Sequence, residues 1–159
     1  MKNVVIFWVA VAVFATATCC ASAQEVKLFA DQSFQPSLQE IVPLFTEQTG
    51  FEVELSIGRS SILANRIRSG IPADLFFPAS EEVMKQMMSK GLVDVALKRN
   101  ILILPGIKSA EEEIEPEPQY IAAAVLTQAA NRLQAMALLE FLTSQTARDA
   151  FARQGFALP

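Results

Sequence analysis

The chain has 159 residues, 52% of them hydrophobic and 19% charged, which is the composition of one packed domain rather than a disordered segment. With 13 basic residues against 17 acidic ones and a net charge of −4, it lacks the basic surface that a nucleic-acid partner requires. Histidine is absent, which removes the commonest metal ligand and general base, and the cysteines are confined to positions 19 and 20.

Residues 1–23 read as a cleaved signal peptide. Lys2 gives a short basic start, Val4 to Ala17 an apolar run, and Ala21-Ser22-Ala23 the small residues of a cleavage site before Gln24. The run falls short of the ~20 residues that span a bilayer, and no basic stop-transfer cluster follows it. Cys19 and Cys20 do not sit in a lipid-attachment pattern and leave with the leader, so the exported chain has no thiol for a disulfide or zinc site.

Residues 24–159 alternate short apolar runs with helical stretches, the pattern of an α/β domain with a mostly parallel sheet and helices on both faces. A first strand is expected over Glu25 to Ala30. A helix then follows Ser33 with Phe34, Leu38, Ile41, Val42 and Phe45 turned inward, is broken or kinked at Pro43, and closes at Gly50. Phe51 to Ile57 is the second strand. Ser60 or Ser61 caps a helix carrying Leu63 and Ile67, which ends at Gly70-Ile71-Pro72 before a third strand, Asp74 to Phe77.

Ser80 opens the next helix, with Glu81 and Glu82 in its first turn, Val83, Met84, Met87 and Met88 as its core stripe, and Gly91 at its end. Asn100 to Leu104 makes a fourth strand. The segment 106–118, with Glu111, Glu112, Glu113, Glu115 and Glu117 between prolines, is a solvated acidic linker. Gln119 to Leu126 returns as a strand. A helix with Leu133, Met136, Ala137, Phe141 and Leu142 on one face and a Ser144-capped final helix complete the chain.

Two strand-to-helix junctions, Ala30-Asp31-Gln32-Ser33 and Ile57-Gly58-Arg59-Ser60-Ser61, place hydroxyls at helix starts on the carboxyl edge of the sheet, where open α/β sheets bind ligands. First-turn N–H groups lack helical partners and the helix dipole favours negative charge, so the chemistry suits an anion. Serines in this setting also serve as plain helix caps. Nucleophilic catalysis would require Lys27, Lys85 or Lys98 to approach a serine as its base, and none of them lies near either junction in sequence, so no enzyme is expected.

Leu28-Phe29-Ala30-Asp31-Gln32-Ser33-Phe34, Gly58-Arg59-Ser60-Ser61-Ile62-Leu63-Ala64 and Gly70-Ile71-Pro72-Ala73-Asp74-Leu75-Phe76 occur in that order and spacing. Together with Ala137 to Ser144 and Phe151 to Phe156 they resemble the periplasmic molybdate-binding proteins of ABC importers. The Gly-x-Pro-Ala-Asp-Leu-Phe stretch is the most diagnostic. Tungstate and sulfate binders share much of the pattern.

The resemblance implies one lobe of a periplasmic-binding-protein-like fold that takes up a tetrahedral oxyanion, such as molybdate, tungstate or sulfate, with no cofactor and no metal. It implies periplasmic location and an inner-membrane ABC permease as partner. It maps oxyanion donors onto Ser33 and Ser60, with Ser61 adjacent and the Ala79 backbone nearby.

This sequence departs from the family in three places. The family's second lobe is replaced by the linker at 106–118. Loss of two charge-assisted hydrogen bonds, at about 1.5–3 kcal/mol each, weakens binding roughly 10²- to 10⁴-fold. Asp31 and Arg59 stand where small residues are usual, so Arg59 either supplies a cation to the ligand or pairs with Asp31. The alternative to oxyanion binding is a degenerate lobe that docks on a permease, or forms a homodimer through its exposed cleft face.

Overall fold

The first strand, β1 (Val26–Asp31), is buried along nearly its whole length because strands flank it on both edges. It pairs in parallel with β2 (Val53–Gly58), Val26 opposite Val53 and Asp31 opposite Gly58. On its other edge it pairs in parallel with β3 (Leu75–Phe77). Two further strands, β4 (Val93–Leu104) and β5 (Gln119–Leu126), pair antiparallel with each other, and β5 lies antiparallel to β3. The order is β2-β1-β3-β5-β4. The computed structural model describes residues 25–104 and 119–157, so the leader at 1–23 and the linker at 106–118 lie outside the described residues.

The α/β lobe with helices on both faces is as expected, and its sheet is mixed, with two parallel and two antiparallel pairings where a mostly parallel sheet was expected. β2 and β3 are reached through helical crossovers, whereas β5 enters beside β4 as its antiparallel neighbour and so runs against β3. The helices are α1 (Gln35–Thr49), α2 (Ser60–Arg68), α3 (Glu81–Ser89), α4 (Arg132–Leu142) and α5 (Gln145–Arg153).

Alternation along the strands divides the core between two faces. Leu28, Ala30, Leu75, Phe77, Ala123 and Val125 pack against α1, α4 and α5, while Phe29, Phe76, Ala122 and Ala124 pack against α2 and α3. Phe34 stacks on Phe77 with ring centroids 4.2 Å apart and planes 14° apart, and Phe151 meets Phe77 edge-on at 6.0 Å. This aromatic group fixes the chain on either side of the carboxyl edge, since Phe34 follows Ser33 and Phe77 lies two residues before Ala79.

Three expectations are corrected. The break at Pro43 is absent, and α1 runs continuously to Gly50, which caps it at φ 75°. Pro43 and Gln39, whose carbonyl loses its helical partner, both face solvent, so water takes the place of the missing N–H. β4 begins at Val93 rather than Asn100, because β5 supplies a partner from Val93↔Leu126 to Leu104↔Gln119, with register shifts at two places. In α4 the buried face is Ala135, Leu138, Leu139 and Leu142, and Leu133 is 76% exposed.

Asp74 secures the edge opposite the serine junctions. Its carboxylate accepts from the Lys27 and Asn131 amides, both at 2.9 Å, and its own amide donates to the Lys27 carbonyl at 2.9 Å. The most diagnostic motif of the chain is therefore a structural clamp joining β1, β3 and the start of α4.

Candidate functional site

Parallel pairing of β1 and β2 sets Asp31 opposite Gly58, so the two junctions that follow these strands lie side by side. After Asp31 the chain makes a short 3-10 turn, Gln32–Phe34, capped by the Asp31 side chain. After Gly58 it enters α2 directly. Arg59, not a serine, is the N-cap residue of α2, and it makes no side-chain capping bond. Ser60 is the first helical residue, which frees its hydroxyl from capping and turns it toward β1.

The Asp31 carboxylate occupies the point where both junctions aim their donors. One oxygen, Oδ1, accepts from the Ser33 amide at 3.0 Å and the Ser33 hydroxyl at 2.9 Å. The other, Oδ2, accepts from the Ser60 amide at 2.8 Å and the Ser60 hydroxyl at 2.5 Å. The Ser60 Oγ in turn accepts from the Ala79 amide at 2.9 Å, linking the loop after β3 to the same point. A carboxylate offers about four acceptor sites, and here four donors fill them.

Asp31 and Ser60 are each only 7% exposed, whereas Ser33 faces solvent. Burial pushes the Asp31 carboxyl up, but the hydrogen bonds outweigh it, the Ser60 hydroxyl first and then the Ser33 and Ser60 donors. The carboxyl is held below its ordinary value. Asp31 is therefore a charged group in a cradle built for negative charge.

The structure brings Ser33, Ser60 and the Ala79 amide together and leaves Ser61 and Arg59 out. Ser61 is exposed and takes no part in the bonds at Asp31. Arg59 is exposed, and among the described residues no carboxylate pairs with its guanidinium, so the Asp31–Arg59 bridge is not formed.

The sequence signals only part of the seating of Asp31 in the cradle. The Asp-x-Ser spacing at 31–33 signals a side chain that caps the turn ahead of it, which accounts for Oδ1. Nothing local signals the bonds to Ser60, 29 positions away.

A separate cleft of mixed polar and apolar lining, to which Ile67, Gly70, Ile71, Leu92, Leu126 and Gln128 contribute, lies at the opposite edge of the sheet, near the clamp at Asp74. Among the described residues no group of three or more acidic, cysteine or histidine side chains is placed to hold a metal ion. None of their helices is long and apolar enough to cross a membrane.

Amide and hydroxyl donors from two strand-to-helix junctions thus converge on one anionic group at the carboxyl edge of an α/β sheet. The chain belongs to the bacterial extracellular solute-binding protein family, whose model matches residues 26–105 and 104–157.

Among curated proteins it is 33% identical over 82 residues to the molybdate-binding protein ModA of Escherichia coli, covering 52% of this chain and 32% of that one. To ModA of Haemophilus influenzae it is 30% identical over 101 residues, covering 60% and 40%. The matched segments thus span about a third to two-fifths of these relatives' length. The relatives are solute-binding proteins and not enzymes.

Solved structures share the fold. The substrate-binding domain of a putative molybdenum ABC transporter from Clostridium difficile superposes with a TM-score of 0.74 at 12% identity, over 85% of this chain and 99% of that one. The periplasmic molybdate-binding protein of Azotobacter vinelandii gives 0.72 at 14% identity, over 84% and 99%. The tungstate ABC transporter protein of Geobacter sulfurreducens gives 0.62 at 8% identity, over 82% and 98%.

Proposed function

We propose that this chain is an exported, periplasmic oxyanion-binding component of a molybdate-type ABC importer, with its ligand seated between Ser33 and Ser60. Residues 1–23 act as a cleaved signal peptide, and the linker at 106–118 stands in place of a second lobe. The observation that carries the reading is the convergence of four donors from Ser33 and Ser60 on a single negatively charged group. Converging amides and hydroxyls of this kind can hold a tetrahedral oxyanion without a neutralising cation. The molybdate- and tungstate-handling relatives favour the same ligand class.

Isothermal titration with molybdate, tungstate and sulfate tests the reading on protein recovered from the periplasm of an expressing bacterium. Saturable binding by the wild type, or by a variant in which Asp31 no longer fills the cradle, is the expected result. Absence of binding from both at millimolar ligand overturns it. An N-terminus at Gln24 in the recovered protein is expected from leader cleavage.

The saturation of the cradle by Asp31 favours a second reading, in which the lobe binds no solute and docks on a permease or on its own copy. Sedimentation of the ligand-free protein as a dimer, together with silent titrations, would select this reading.

A further inference from the structure

We propose that Asp31 is a tethered anion that occupies the oxyanion cradle from within, so that the free lobe rests in a self-liganded state and external ligand binds only by displacing it. This rests on the oxyanion reading of the cradle.

An aspartate that merely caps the 3-10 turn would use one oxygen on the Ser33 amide. Asp31 does that and also accepts from the Ser33 hydroxyl, while its second oxygen crosses to another element and takes both donors of Ser60. An incoming oxyanion must place its own oxygens on those same four donors. It cannot share them, because a carboxylate and an oxyanion at one point repel each other and compete for the same hydrogens.

The tether sharpens the competition. A group on the same chain competes at an effective concentration in the millimolar range or above, which an external ligand must exceed. Rotation about the side-chain torsions of Asp31, with reorientation of the Ser33 and Ser60 hydroxyls, would free the donors without a change in the backbone of the sheet. Ser33 faces solvent, and this gives the ligand an approach on that side.

The test compares the wild type with Asp31→Ala and Asp31→Asn by titration with sodium molybdate and sodium sulfate, and by thermal melting with and without each salt. Without ligand, Asp31→Ala melts below the wild type because four donors lose their acceptor. With molybdate its melting temperature rises, whereas that of the wild type does not move or moves far less. Binding by Asp31→Ala is expected to be at least about 100-fold tighter than by the wild type, a factor that two charge-assisted bonds already supply.

Asp31→Asn keeps the shape without the charge, so it covers the case in which Asp31→Ala does not fold, and it is expected to bind between the other two. The double variant Asp31→Ala/Ser60→Ala should lose the gain, which assigns it to the cradle. Equal affinities for the wild type and both variants would overturn the tethered-anion proposal and leave the oxyanion reading intact. No binding by any of them would overturn the oxyanion reading, and the proposal with it.

Discussion

The Asp31 carboxylate, at the end of β1, receives the Ser60 amide at 2.8 Å and the Ser60 hydroxyl at 2.5 Å, from the first residue of α2. The two side chains are largely buried and belong to neighbouring strand-to-helix junctions. Their contact joins the two halves of the cradle, and the Ser60 hydroxyl passes the connection on to Ala79.

Ser60→Ala removes the hydroxyl that donates to Asp31 and accepts from Ala79, and it leaves the Ala79 amide without this acceptor. Loss of about 1–3 kcal/mol of stability is expected in denaturant titration. Ser61→Ala, on the exposed neighbour, is expected to stay within about 0.5 kcal/mol of the wild type. Equal effects of the two changes would contradict the geometry.

Acid unfolding depends on the same carboxylate. Because the folded chain holds Asp31 below the ordinary carboxyl value, the unfolded chain takes up the proton first as pH falls. The stabilisation from this group is complete above the unfolded value, about 3.9, and is lost as pH falls through the lower folded value. The stability gap between the wild type and Asp31→Asn should therefore narrow as pH falls from 7 toward 3. A gap that stays constant with pH would refute the assignment.

The aromatic group beneath the cradle is a second point of test. Phe34 is fully buried and stacks on Phe77, so Phe34→Ala should destabilise by about 3–5 kcal/mol. Phe34→Leu, which refills part of the volume, should cost clearly less. Both can be read from urea midpoints.

Ser37 offers the opposite sign. Its hydroxyl is fully buried on α1 and has no hydrogen-bond partner. Removing it relieves an unpaired polar group and improves helix propensity, so Ser37→Ala is expected to leave stability unchanged or raise it by about 1 kcal/mol. A marked loss would show that the hydroxyl has a partner.

Elements governed by local chemistry were legible in the sequence. Ser80 and Ser144 cap α3 and α5 as serine before an apolar helical run predicts, and β5 spans the expected residues. α4 was misjudged because Leu133, Met136, Ala137 and Phe141 are as apolar as the residues that are buried. Periodicity then leaves the face undecided, and packing against the sheet selects Ala135, Leu138 and Leu139. The stretch of β4 before Asn100 interrupts its apolar residues with Asp94, Lys98 and Arg99, and pairing with β5 is what makes it a strand.

The site divides in the same way. The serines were found from their place after strands. The destination of the Asp31 carboxylate depends on the register that sets Asp31 beside Gly58, a relation between distant segments that no window of sequence contains.

The reversal of β5 against β3 has a consequence for how this lobe accommodates other chain. Leu104 and Gln119 face each other across a closed antiparallel ladder, on the edge of the sheet that also carries Asp31. A chain that leaves the sheet and re-enters it at adjacent positions behaves as a socket. Whatever is spliced there, a short peptide or an entire folded module, meets the same two adjacent ends of β4 and β5.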